Sequence, residues 1–254
     1  MVIGLQLYSI RELITEDNLW DVLGKVQAAG FNAVEFAGYY DVPAKEFKAK
    51  LEELGLEPYS SHVPYEHLKD KLDEVVEYSK DIGLSWVICP FARTETVEQI
   101  EELAKVLIAA QEALEPYGIK VGYHNHSHEF NEIDGKYALD HLREATKDRR
   151  IFFEIDCCWA QYANVKPAEY LNDLGQSMGP VHFKDLNENY KEIDPHAINA
   201  VVGQGIVDFE AVFDTMEKHD TLQNGVIVEQ EGFVGDPWEE LASAVQWIVE
   251  HKPE

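Results

Sequence analysis

Apolar and polar positions follow two alternating rhythms along the chain. Short β-branched runs at 3–8, 33–36, 58–62, 86–89, 120–124, 151–156, 181–184 and 226–229 are separated by longer stretches with the 3.6-residue spacing of amphipathic helices. About eight such units in succession predict βα repeats around a parallel sheet. Asp17-Asn18, Pro43 and Pro64-Tyr65-Glu66 carry the start signals of the first three helices. Gly30, Gly55, Gly83 and Gly118 each stand just ahead of the next strand, where a left-handed helix-ending residue is expected. An open doubly wound sheet would place a Gly-rich dinucleotide loop after its first strand, but Gln6-Leu7-Tyr8-Ser9 stands there. The pattern therefore predicts an α/β fold, a closed parallel (β/α)8 barrel with outer helices, as a single domain over 1–254. The stretch 186–205 has no clear period and predicts an extended loop above the barrel, a common place for substrate contacts.

Composition narrows the class without pointing to a reaction. Hydrophobic residues make up 45% and charged residues 27% of the chain, and no apolar run approaches the roughly 18 residues of a membrane span. Met1 to Tyr8 runs directly into strand-like sequence, with no basic segment leading into an apolar one, which predicts a protein that is not secreted. Cys89, Cys157 and Cys158 form an odd count with an adjacent pair, a poor disulfide framework that fits a reducing cytoplasm. With 21 basic and 48 acidic residues the formal charge is −27, which repels a nucleic-acid backbone. Neither nucleic acid nor membrane is expected as a partner.

Barrels of this kind build their sites at the C-terminal ends of the strands, and four predicted strand ends carry metal-capable groups. They are His124 and His126 in Tyr123-His124-Asn125-His126-Ser127-His128-Glu129-Phe130, Asp156 in Glu154-Ile155-Asp156, His182 in Val181-His182-Phe183-Lys184-Asp185, and Glu229 in Val228-Glu229-Gln230-Glu231. Two imidazoles and two carboxylates make a mixed nitrogen and oxygen site for one divalent ion. Manganese is the first expectation, with cobalt, zinc, iron or magnesium as alternatives. His124 and His126 share a strand face, as do Glu229 and Glu231, so either member of each pair could be the ligand. Asp156 also suits a helix N-cap, and Asp185 a simple pairing with Lys184.

The phrases Tyr-His-Asn-His-x-x-Glu-Phe, Glu-x-Asp-x-x-Trp-Ala, Val-His-x-Lys-Asp, Gly-x-Gly-x-x-Asp-Phe and Val-Glu-x-Glu, in this order over nearly the whole chain, resemble the sugar phosphate isomerase/epimerase family of xylose isomerase-like TIM barrels. The fourth phrase is Gly203-Gln204-Gly205-Ile206-Val207-Asp208-Phe209. The resemblance implies a metal held, as in ketose 3-epimerases, by a Glu, an Asp, a His and a second Glu from strands five to eight. Asp156, His182 and Glu229 match the last three positions, and the first falls on His124. That departure weakens the analogy to an epimerase with one glutamate base on each face of the substrate, and it resembles inosose-dehydratase-like members. The family's barrels often pair, so a homodimer is implied.

The chemistry so implied is proton removal beside a carbonyl of a small sugar, keto-sugar, polyol or sugar phosphate, with Glu229 as the base and His126 or Glu129 as the second acid/base group. Isomerisation or epimerisation through an enediolate is the first expectation, and dehydration is the alternative. Glu35, His62, Trp159 and Lys184 are expected to line the substrate. Two other classes compete. An apurinic-site endonuclease shares the barrel but would need a basic groove that the charge argues against, and a catalytically silent sugar-binding barrel would bind sugar without metal.

Overall fold

The structure is a computed structural model that describes residues 1–15, 17–193 and 198–253. Eight parallel strands close into a barrel: β1 (Ile3–Gln6), β2 (Ala33–Phe36), β3 (Glu57–His62), β4 (Trp86–Cys89), β5 (Lys120–His124), β6 (Ile151–Asp156), β7 (Met178–Phe183) and β8 (Val226–Val228). Each strand pairs with the next in sequence, and β1 closes the ring on β8 with Ile3 opposite Val226. The helices between them are α1 (Leu19–Ala28), α2 (Ala44–Leu54), α3 (Tyr65–Asp70), α4 (Leu72–Ile82), α5 (Val97–Leu114), α6 (Ala138–Thr146), α7 (Cys157–Tyr162), α8 (Pro167–Leu174), α9 (Phe209–Lys218) and α10 (Pro237–His251). The TIM barrel expected from the alternating pattern is thus the fold observed.

Local chemistry explains the boundaries. Thr96 and Gln99 form a reciprocal capping box that opens α5, while Gly55 and Gly83 end α2 and α4 at φ 71° and 91°. No helix among the described residues is long and apolar enough to cross a membrane. β1 stops at Gln6, two residues earlier than expected, because the chain tightens into a 3-10 segment over Leu7–Leu13. β7 begins at Met178, three residues early, since Gly179 sits against β6: a Cβ there would stand 3.2 Å from the Phe153 carbonyl oxygen. The stretch 186–205 is less irregular than expected. Asp185–Leu186 pairs antiparallel with Asn199–Ala200 above β7, and residues 194–197 lie outside the described part.

Two apolar cores result. The larger lies between the strands and the helices, and a smaller one fills the barrel's lower interior with Ala33, Tyr59, Trp86, Ile88 and Ile227, joined by Val2 and Phe152. Gly4 makes room for the latter, because a Cβ there would stand 2.6 Å from Ile227 Cδ1.

Candidate functional site

Period-two alternation carries the inward-facing side of each strand from this floor to the mouth. Two residues beyond Ala33, Phe152 and Ile227 come Glu35, Glu154 and Glu229, and with His124 and His182 they form a buried polar layer. His124, Asp156, His182 and Glu229 each present a ligand-type atom, all within 4.8 Å of one another. His62, His124, Glu154 and His182 form a second such group beside them.

The hydrogen bonds orient the first group. His124 Nδ1 meets Glu154 Oε2 at 3.1 Å, which leaves Nε2 4.0 Å from Asp156 Oδ2. His182 Nε2 meets Glu35 Oε1 at 2.8 Å and Glu154 Oε2 at 3.1 Å, so its Nδ1 faces Glu229 Oε2 at 2.9 Å. Asp156 divides its work. Oδ1 accepts from Trp159 N at 2.8 Å as the N-cap of α7, while Oδ2 is buried with no hydrogen-bond partner. An N-cap and a ligand are therefore compatible in one carboxylate. An orphaned buried oxygen beside two imidazole nitrogens and a second carboxylate fits a divalent cation, and Glu35 and Glu154 stand where outer carboxylates orient the imidazoles of such a site.

Electrostatics set the charges. Burial opposes ionisation of His62, but Glu35 and Glu154 outweigh it and push the imidazole up to about 10. Burial pushes Asp156 up to about 7 despite Lys184 nearby, and the same burial of Glu229 is overcome by Lys184 and His182, which hold it well below the usual carboxylate range. His126 is pushed down to about 4 by burial and by Lys184, so it is neutral near pH 7.

A cavity of about 1100 Å³ opens above this layer, and His62, His124, His126, Trp159, Glu229 and Glu231 line its inner end. The expected quartet, His62, His126 and Trp159 are thus brought together. Three other expectations change. Glu129 turns away: it is buried, accepts from Tyr123 Oη at 2.7 Å and from His126 N at 2.8 Å, and fixes the loop instead of reaching the cavity. Glu35 and Lys184, expected against the substrate, are buried behind the lining. Glu35 is bound by Gln6, His62 and His182, and Lys184 by Glu229 and Glu231, with Asp156 Oδ2 3.8 Å away.

Asp185 does not pair with Lys184. Its carboxylate accepts from the backbone N–H groups of Leu186, Gly203, Gly205 and Val207, clamping the Gly-x-Gly turn onto β7. Asn199 in the same clamp accepts from Glu231 N at 3.1 Å. Glu154 and Gln6 are site residues that had not been singled out. Parity gave a signal for Glu154, two residues before Asp156 on one strand, whereas Gln6 is explained by its bond to Glu35.

Comparison with known proteins agrees with this fold. The family described as xylose isomerase-like TIM barrel matches residues 23–251. An inosose dehydratase from Bacillus licheniformis is 23% identical, over 98% of this chain and 93% of its own length. A sugar phosphate isomerase/epimerase structure from Parabacteroides distasonis superposes with a TM-score of 0.80 at 23% identity, covering 97% of this chain and 92% of that one. The structure of the IOLI protein with a binding zinc atom superposes with a TM-score of 0.74 at 14% identity, covering 99% and 96% of the two chains.

Proposed function

Because this chain belongs to the xylose isomerase-like TIM barrels, we propose that it is a divalent-metal-dependent enzyme that dehydrates a keto-sugar or keto-polyol. The observation that carries the reading is the convergence of His124, Asp156, His182 and Glu229 at a cavity that His62, Trp159 and Glu229 line. The 23% identical inosose dehydratase supports the same order of outcomes, with dehydration ahead of the isomerisation or epimerisation first expected.

His124 Nε2, Asp156 Oδ2, His182 Nδ1 and Glu229 would hold the ion, with manganese the first to test among the divalent metals that suit this donor set. When bound, such an ion supplies Lewis-acid polarisation of the substrate carbonyl. Glu229, which lines the cavity, takes the proton from the carbon beside the carbonyl. As the electron pair of that C–H bond becomes a C=C bond, the C–O bond to the β-hydroxyl breaks. The departing oxygen takes a proton from His62, the lining imidazole that Glu35 and Glu154 hold protonated, and leaves as water. Trp159 offers an indole face to the C–H side of the ring, and its cation–π contact with Lys184 at 5.1 Å holds that indole in place.

A second reading has one observation in its favour. His62 lines the cavity as a proton donor other than Glu229, and return of its proton to carbon instead of oxygen gives an isomer or epimer. The test is a metal-loaded sample incubated in deuterated water with ketoses, keto-inositols and their phosphates. An enone band in the near ultraviolet supports dehydration, and deuterium at carbon without the band supports isomerisation or epimerisation. Neither signal with one metal per chain bound would remove the proposal.

The ligand expected is a small sugar or polyol. A homodimer in the cytoplasm is the form we propose for the active protein. The cytoplasmic assignment is supported by three unpaired, buried cysteines, Cys89, Cys157 and Cys158.

A further inference from the structure

The cavity is larger than its chemistry needs. At about 1100 Å³ it exceeds the roughly 300–1,000 Å³ typical of sites that enclose drug-sized ligands, several times the space of one sugar ring. From the inner end it runs outward between the loop 37–43 and α4, where Tyr39, Val42, Pro43, Val75 and Tyr78 form the wall. This outer lobe has a different character. Tyr39 and Tyr78 stack with ring centroids 3.9 Å apart, and their hydroxyls are already engaged, Tyr39 donating to Ser61 Oγ at 2.9 Å and Tyr78 to the Val42 carbonyl at 2.7 Å. What they offer an occupant is ring surface. Phe91, also on the lining, is 54% exposed, an apolar ring left open to solvent.

Two further observations define the occupant. Among the described residues the lining contains one lysine, Lys71, no arginine, and one imidazole held protonated, His62, which is already paired with Glu35 and Glu154, against Asp41, Glu74, Glu229 and Glu231. Lys184, a further cation at the mouth, is buried and bound to Glu229 and Glu231. A phosphate group would meet four carboxylates and no guanidinium fork. The loop that carries the wall is also strained: Tyr40 and Asp41 follow one another at φ 53° and 56°, a left-handed pair of non-glycine residues. Such conformations cost about 1–3 kcal/mol each and concentrate at ligand clamps.

We propose that the substrate is an unphosphorylated glycoside, with its sugar ring in the inner lobe and a flat, apolar aglycone in the outer lobe against Tyr39, Val75 and Tyr78. The assignment rests on the inner lobe being the sugar site proposed above. The experiment is calorimetric titration of the metal-loaded full chain with phenyl β-glucoside, glucose, cellobiose and glucose 6-phosphate. Phenyl β-glucoside is expected to bind at least about tenfold more tightly than glucose, the equivalent of about 1.4 kcal/mol. Val75→Glu, on the half-buried face of α4, and Tyr78→Ala, which removes one ring of the outer wall, should each erase that advantage and leave glucose affinity unchanged. Tighter binding of cellobiose or glucose 6-phosphate, equal binding of glucose, or indifference to both substitutions would overturn the proposal. Binding is read without turnover. An enzyme that forms enone from free keto-inositol but shows no preference for the aryl glucoside therefore fails here alone. One that prefers the aryl glucoside but exchanges no C–H proton fails only in the reaction assigned above.

Discussion

The lower and upper halves of the barrel interior share strands β2, β6 and β8 and are equally buried, yet they are opposite in chemistry. Below, Ala33, Tyr59, Trp86, Ile88 and Ile227 pack as an ordinary apolar core. Above, Glu35, His124, Glu154, Asp156 and His182 are almost wholly inaccessible, and Glu35 Oε2, Glu154 Oε1 and Asp156 Oδ2 have no hydrogen-bond partner. Apolar burial contributes about 25 cal/mol per Å², whereas a buried ionised cluster costs desolvation that its pairings only partly offset. The floor therefore carries stability, and the mouth is kept for what it binds. Both halves arise from one alternation read two residues apart.

The sharpest way to break this contrast is to cut each half separately. Trp86→Ala should cost about 3–5 kcal/mol in urea unfolding, with metal content per folded chain unchanged. Asp156→Asn keeps an oxygen for the Trp159 N–H but loses the free carboxylate. Elemental analysis should find the metal lost and turnover down by about 10³-fold, the several kcal/mol of Lewis-acid catalysis, with unfolding free energy unchanged or raised. Glu35→Gln should weaken metal affinity by about 10- to 100-fold in competition with a chelator, because it alters the partner that orients His182 without removing a ligand. The smallest effect sharpens the floor. Gly4→Ala should destabilise by about 1–3 kcal/mol, and adding Ile227→Val, which deletes the Cδ1 it would strike, should restore much of that loss. A Trp86→Ala variant that lost metal, or an Asp156→Asn variant that unfolded, would dissolve the distinction.

The same alternation decides what could be read from the chain beforehand. Strand count and the His124, Asp156, His182 and Glu229 set are local: each residue lies on a strand or one residue past its end, where parity and turn residues announce it. Glu129 lies past the end of β5, where the backbone turns into the 3-10 segment His128–Phe130, and parity no longer says which way a side chain points. Glu35 and Lys184 were placed at the right height, but their partners Gln6 and Glu231 lie 29 and 47 residues away in sequence, and those partners draw them behind the lining. The small hairpin joining Glu132–Ile133 to Lys136–Tyr137 had a legible signal in Asp134-Gly135, both at positive φ, that hydrophobic runs of two residues are too short to reinforce.

The cavity takes its ligand-bearing groups from β5 to β8 and its outer wall from the loops and helix that follow β2 and β3, and the two meet at Glu35 and His62. Fit and reaction are thus inherited on different stretches of one chain. A lineage could redraw residues 37–43 again and again, as loops on barrels tolerate, while the strands that carry the proposed metal ligands stay as they were. One ancient reaction would then travel from substrate to substrate by the exchange of a seven-residue loop.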